Sequence, residues 1–427
     1  MILIYAHTAT KRLQYICKFI FKEQLGIAYS LTIDEINFKE HKADKVNYSD
    51  LVFDDAFNIK PHPLLFEKNT QRQQINCFEE NGYKAFFKNS NGDFSFDIFA
   101  ASFYLLSRYE EYLPHKKDMY NRYAHEQSLA FKEGFLNIPL VNIWLQDLLK
   151  QILKKFPSIK YQLTAFNFIP TYDIDIAWSY RHKGLLRNIG GFLKKPSMER
   201  LRVLAGLKKD PYNCYDFLNE LHKEHNLEPI YFFLVATSKS QYDKNISPYA
   251  SSMRQLIRTH AKKFDIGLHP SWRSNENVVI LKKERKILEE AGHVHVKKSR
   301  QHYIKFNLPE TMEKLLEAGI ENDHSMGYGS INGFRASVAS PFFWYDLKKE
   351  IATRLLMHPF CFMDANSFYE QKQNAEEAYI ELIYYYEQCE KVNGTLITIF
   401  HNHFLGSDKQ FARWKEMYRH FTSQLPR

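Results

Sequence analysis

Hydrophobic and polar positions divide the chain into two unlike stretches, and the divide falls near residues 157–165. Before it the signal is mixed. Ile2-Leu3-Ile4-Tyr5 reads as a strand and Thr8-Ala9-Thr10 as a capping region. Leu13, Ile16, Cys17, Phe19 and Ile20 then fall on one helical stripe, so residues 1–30 predict strand, helix, strand. Short apolar runs and Pro61-His62-Pro63 predict strands and turns over 38–73. Residues 97–113 predict one helix, with Ile98, Ala101, Leu105 and Leu106 on its apolar face. Its Arg108, Glu110 and Glu111 read as a solvated or interdomain ion-pair face. A second amphipathic helix covers 141–156 and stops before Pro157. Residues 1–160 are therefore expected to form a smaller α+β domain, one that carries no chemical motif.

After Phe166 the pattern turns regular. Strand-like runs occupy 166–175, 228–236, 264–269, 296–306, 319–328, 331–336, 354–362 and 395–401. Helical periodicity separates most of them, at 214–225, 252–263, 277–291, 309–318, 375–391 and 409–424. This alternation over 161–427 is the rhythm of a (β/α) barrel or a doubly wound sheet. One insertion interrupts it, a basic segment at 181–210. Nine Lys or Arg between Arg181 and Lys209 face the single acid Glu199, and Leu185, Leu186, Ile189, Phe192, Leu193, Leu201, Val203 and Leu204 interleave with them. Such a segment reads either as a helical flap with a solvated basic face or as a peripheral contact with an anionic membrane through 181–209.

Polar chemistry gathers where strands end. The first run closes on Asp173-Ile174-Asp175, whose two carboxylates share a side because strand side chains alternate. The third closes on His269, followed by Pro270-Ser271-Trp272. The fourth carries Arg300 and His302, expected on one face and followed by Tyr303. The sixth gives Gly333-Phe334-Arg335, and the last ends in His401-Asn402-His403. A lone strand histidine is most often a satisfied core residue. Charges delivered to one end by several strands are harder to explain by packing, because buried charge is costly unless paired or bound. A carboxylate and imidazoles suit a divalent metal such as zinc, a second carboxylate suits a base, and a further histidine suits an acid.

The totals add little to this picture. Of 427 residues, 58 are basic and 49 acidic, a net charge of +9 that permits an anionic partner without demanding one. No nucleic-acid motif accompanies it. Five scattered cysteines, with no close pair, argue against a disulfide framework or a cysteine metal site. Lysine and arginine interrupt the apolar residues after the short first strand, so neither a signal peptide nor a spanning segment is predicted. A cytoplasmic protein, acting at the inner membrane face, is the expectation.

Thr171-Tyr172-Asp173-Ile174-Asp175, Leu268-His269-Pro270-Ser271, the Arg300 run and Leu396-Ile397-Thr398-Ile399-Phe400-His401 resemble, in order, the motifs of the polysaccharide deacetylase (NodB-homology) family. The resemblance covers about 166–405, and residues 105–112 resemble an accessory domain found in a bacterial subgroup. It implies a distorted (β/α) barrel and removal of an N-acetyl or O-acyl group from a cell-surface or lipid-linked polysaccharide. By position it implies Asp173 as base, Arg300 as its orienter and His401 as acid. It implies Asp175 and His269 as ligands of a divalent metal, zinc by analogy. Two departures stand out. Ile174 separates aspartates that are adjacent in the family, and Arg273 occupies the place of the second metal histidine, where an arginine cannot ligate. His302 is the candidate third ligand; Arg335, Trp272 and Tyr303 are expected to bind substrate. A silent relative that binds glycan or lipid-linked sugar as an assembly partner is the alternative, and a different hydrolysis on the same barrel is a third.

Overall fold

The computed structural model describes residues 1–89 and 92–425. The first stretch builds a four-stranded sheet from β1 (Ile2–Tyr5), β2 (Tyr29–Thr32), β3 (Lys45–Asn47) and β4 (Phe57–Asn58). Its order is β2-β1-β3-β4, all neighbours parallel. Thr10 caps the crossover helix Lys11–Cys17 by accepting from the Leu13 amide, and the helix buries Leu13, Ile16 and Cys17 against the sheet side. A small antiparallel hairpin follows, β5 (Phe78–Glu80) and β6 (Tyr83–Ala85).

The second stretch builds a nine-stranded sheet: β7 (Asn167–Ile174), β8 (Ile230–Leu234), β9 (Asp265–His269), β10 (Lys298–Ser299), β11 (Asn322–Asp323), β12 (Phe342–Asp346), β13 (Ile351–Met357), β14 (Phe362–Met363) and β15 (Thr395–His401). The order is β12-β13-β11-β10-β9-β8-β7-β15-β14. Every neighbouring pair is parallel except β12–β13. With helices as crossovers this is a mixed α/β fold, a distorted (β/α) barrel whose ladder stays open between β12 and β14. Central strands β7, β8, β9 and β15 are largely buried on both faces because parallel strands are covered on both sides.

One large hydrophobic core runs through both stretches, and Leu3, Tyr5, Phe38 and Ala56 form a small second cluster. Backbone bonds cross between them, from the Val141 amide to the Ser337 carbonyl at 2.9 Å and from the Phe334 amide to the Leu136 carbonyl at 2.8 Å. Three expectations need correction here. The helix expected over 97–113 is split: it runs Ile98–Leu106, Arg108 turns left-handed at φ 53°, and a short 3-10 turn covers Tyr109–Tyr112. The run 331–336 is a turn and not a strand, held by the Gly333 amide donating to the Cys361 carbonyl. The run 296–306 contributes only the two residues of β10 before breaking into a 3-10 turn at His302–Ile304.

Candidate active site

Every strand that carries site chemistry delivers it at its C-terminal end. Asp173 is the penultimate residue of β7 and Asp175 follows the strand; His269 and His401 are the last residues of β9 and β15. In the ladder His401 lies directly beside Asp173, and Leu234 lies beside His269. Arg300 follows β10 and Asp364 follows β14. Parallel strands in one barrel present their C-terminal ends to one rim, which brings residues far apart in sequence together.

Asp175 is the centre of this rim. Three imidazole Nε2 atoms converge on its carboxylate: His269 at 3.0 Å, His302 at 3.5 Å and His401 at 3.6 Å. Each ring is fixed from behind through Nδ1. His269 Nδ1 lies 2.6 Å from the Arg300 carbonyl, His302 Nδ1 3.1 Å from Asp243, and His401 Nδ1 2.6 Å from Asp364. A carbonyl only accepts, so His269 Nδ1 donates to it, and Nε2 is the ring atom left facing Asp175. Asp175, His269 and His302 offer ligand atoms that all lie within 4.8 Å of one another. Asp175 Oδ1 is buried without a hydrogen-bond partner, although His269 Nε2 is only 3.0 Å away. A carboxylate oxygen and two imidazole nitrogens with that unmet demand fit a divalent cation of the zinc type.

Asp173 sits apart from this set. Its Oδ1 accepts from Arg300 Nη1 at 2.9 Å, and its Oδ2 is 3.8 Å from His269 Nε2. Arg300 is completely buried, its Nη1 also donating to Thr171 Oγ1 at 2.7 Å and its Nε to the His324 carbonyl at 3.0 Å. The guanidinium lies 4.3 Å from the centre of the Phe232 ring. A cation held this tightly aims one carboxylate rather than binding a mobile ligand.

The electrostatics follow from burial and proximity. Burial alone would lower His302, but Asp175 and Asp243 outweigh it and push it up to about 9. Burial likewise works against a charged His401, and Asp364, helped by Asp175 and Asp173, pushes it up to about 10. Burial would raise Asp175, yet His302 and His269 hold it well below the ordinary carboxylate range. His403 goes the other way: burial, then the His401 charge, lowers it to about 3.

A cavity of about 400 Å³ opens over this centre. Asp173, Asp175, His269, His302, Tyr303 and His401 line it, together with Tyr369, Glu370 and His403. Tyr120 and Arg122 reach it from the first stretch of the chain. Arg122 Nη1 donates to the Tyr303 carbonyl at 2.6 Å while its Nε pairs with Asp118 at 2.6 Å. Tyr303 and Ile304 both hold positive φ, 59° and 52°, costly for a bulky and a β-branched residue. The arginine clamp therefore stabilises the turn that presents His302 and Tyr303. That turn, rather than a strand face shared with Arg300, is what points His302 at Asp175.

Two of the residues expected to bind substrate do not line the cavity. Arg335 is buried to 1% exposure and paired with Glu111 through Nε at 2.9 Å and Nη2 at 2.5 Å; its guanidinium is spent on holding the two stretches together. Trp272 stacks on Tyr242 with centroids 3.8 Å apart and meets Tyr303 edge-on, one layer behind the cavity wall. Arg273 is exposed and contributes nothing to the centre. Asp243, Asp364, Tyr120 and Arg122 were not among the expected site residues. Asp364 carried a weak signal, as an acid at the end of a strand-like run. Asp243 sits in a loop without periodicity.

Residues 2–157 match a family model described as a family of unknown function, DUF7033. No curated protein is similar to this chain in sequence. Among solved structures, the chain is similar to a Mycobacterium smegmatis protein assigned to the polysaccharide deacetylases, at 15% identity and a TM-score of 0.40, over 61% of this chain and 85% of that one. It is similar to the allantoinase PuuE at 13% identity and a TM-score of 0.37, over 61% and 85%. It is also similar to a CE4 family pseudoenzyme from Bacillus anthracis at 8% identity and a TM-score of 0.32, over 60% and 61%. At this distance the likeness says nothing about activity. Fold and site together define a class, an α/β barrel protein with a buried carboxylate, imidazole and guanidinium centre at its C-terminal rim.

Proposed function

We propose that the protein is a carbohydrate deacylase, hydrolysing an N-acetyl or O-acyl group of a cell-surface or lipid-linked polysaccharide. The observation that carries this reading is the separation of roles around one cavity. Asp173 is held by Arg300, Asp175 is met by His269 and His302, and His401 is held by Asp364. A pure binding site has little use for a base, its orienter and a buttressed acid together.

Asp175, His269 and His302 would hold a divalent cation, which supplies Lewis acidity towards an acyl carbonyl and makes water a better nucleophile near neutral pH. The remaining work falls to side chains. Asp173, aimed by Arg300, takes the proton of the attacking water. His401, kept cationic by Asp364, gives a proton to the departing nitrogen or oxygen. Asp243 and the Arg300 carbonyl fix which nitrogen of His302 and His269 faces inward. The rings of Tyr120, Tyr303 and Tyr369 along the cavity suit the apolar faces of sugar rings.

Two measurements on the purified full chain test this. Zinc, cobalt or nickel is expected near one equivalent by mass spectrometry, and lost in His269→Ala and His302→Ala. Acetate release from N-acetylglucosamine oligomers is expected from the loaded protein and abolished in Asp173→Asn, which keeps its metal. A protein that takes up none of these metals, even after soaking in cobalt, would return the reading to a silent glycan-binding relative. Full activity in Asp173→Asn would remove that residue as base.

A further inference from the structure

The excursion between β7 and the helix Tyr215–Glu224 is built inside out. It consists of two short helices, Leu185–Lys194 and Met198–Leu204. On the first, Leu185, Leu186, Ile189 and Leu193 are 76%, 87%, 48% and 76% exposed. Helical spacing puts these four on one face. The polar residues turn the other way, towards the body of the protein. Asn188 is buried and donates to the Tyr180 and Gly184 carbonyls; Arg187 donates to the Lys244 carbonyl at 2.9 Å. Arg200 reaches back to the Asn188 carbonyl at 3.1 Å and lies over the Tyr180 ring. Met198, Leu201, Leu204 and Leu207 extend the exposed apolar surface along the second helix and beyond it.

Large apolar side chains scattered singly on a surface need no explanation; a contiguous set marks a face that meets something apolar. The charge says what. Nine Lys or Arg lie between 181 and 209, and the one acid among them, Glu199, is already paired with Lys208. An apolar helical face within a strongly cationic border is the make-up of a helix lying in the interface of an anionic bilayer. Among the described residues no helix is long and apolar enough to cross a membrane, so this segment would lie on the bilayer rather than span it.

The excursion is tied to the catalytic rim. The Ser179, Tyr180 and Arg181 amides donate to the Asp210 carboxylate at 2.7, 2.8 and 2.9 Å, closing its base. Asn402, next to His401, donates to the carbonyls of Ile176 at 3.1 Å and Tyr212 at 2.9 Å on the two legs of that base. A surface seated on the 185–207 segment is thus joined through a few hydrogen bonds to the residues flanking Asp175 and His401.

We propose that residues 185–207 dock the protein on an anionic phospholipid bilayer, with the leucines at the boundary of headgroups and acyl chains and the basic residues on lipid phosphates. The docking stands independently of the hydrolytic reading. Where both hold, the substrate is a glycan presented at the membrane surface.

Flotation of the full chain with vesicles tests it. Binding is expected to vesicles of phosphatidylcholine with phosphatidylglycerol, to weaken as salt rises, and to be lost on phosphatidylcholine alone. The triple variant Leu185→Ser, Leu186→Ser, Leu193→Ser should bind about a thousandfold more weakly, since each leucine loses about tenfold. Lys194→Gln with Lys195→Gln should weaken low-salt binding by about thirtyfold. These side chains are exposed, so circular dichroism and metal content should match the unaltered protein. No binding to phosphatidylglycerol vesicles, equal binding to both vesicle types, or unweakened binding by the triple serine variant would each overturn the proposal. So would a dimer in sedimentation that the serine changes dissolve while vesicles are ignored. Metal content and acetate release report on the hydrolytic reading separately.

Discussion

Asp364→Asn isolates the role of the acid from that of the metal site. Asp364 is fully buried, and His401 presents it with two donors, the backbone amide at 2.6 Å and Nδ1 at 2.6 Å. Burial alone would leave His401 neutral near pH 7; the Asp364 charge leads the groups that lift it from 6.5 to about 10. At about 1.4 kcal/mol per pH unit, that whole lift is worth on the order of 5 kcal/mol. Asparagine keeps the shape and still accepts from the backbone amide, but it removes the charge and turns an N–H group towards Nδ1. His401 then holds its second proton less tightly, with Asp175 and Asp173 supplying what attraction remains. Turnover of the metal-loaded protein should fall by about 10²–10⁴, the usual worth of a positioned acid. KM and metal content should hold, and the alkaline limb of the pH–rate profile should move to lower pH. Imidazole NMR titration of His401 reads the same displacement without a substrate. A folded, metal-loaded Asp364→Asn protein with unchanged rate and alkaline limb would refute the assignment of His401 as acid.

Two further outcomes follow from buried charge. Glu111 lies between Arg108 Nε at 2.8 Å and Arg335 Nε at 2.9 Å, and although burial works against it, those two cations lower it to about 2. Glu111→Gln leaves guanidiniums buried with less compensation, so urea unfolding should show a loss of about 3–5 kcal/mol; a loss under about 1 kcal/mol would contradict the bridging role. Its stabilisation is present above the unfolded value of 4.5 and disappears as pH falls through about 2. In chelator-treated protein His302 and His401 are raised to about 9 and about 10, so their contribution is complete below 6.5 and is lost as pH rises through those values. The melting temperature of that metal-free form should therefore fall across this alkaline range. A flat profile would count against the charged imidazole cluster.

Much of this architecture was legible in the chain itself. Period-two and helical patterns are local properties, so the alternation after Phe166 announced a (β/α) barrel or a doubly wound sheet, the family resemblance pointed to the barrel, and β7, β9 and β15 lie within the expected runs. Asp173, Asp175, His269 and His401 stood out because each closes or follows an apolar strand. Other readings failed where a distant partner overrode a local pattern. Residues 97–113 have helical periodicity, yet the chain turns at Arg108 so that Arg108 and Glu111 can meet Arg335 and Tyr328 from the barrel. Arg335 looked like a ligand-binding group because its burial against Glu111, more than two hundred positions earlier, is invisible in either segment.

What the sequence determined by itself is the repeating βα pattern and the placing of acids, imidazoles and a guanidinium where strands stop. Only the tertiary structure decided their surroundings. Ladder neighbours put His401 beside Asp173, a left-handed turn clamped by Arg122 aimed His302 at Asp175, and loops brought Asp243 and Asp364 behind two of the rings. The reason is physical: periodicity is written in neighbouring residues, whereas the charge state and aim of a buried group depend on whatever other part of the chain comes within a few ångströms of it.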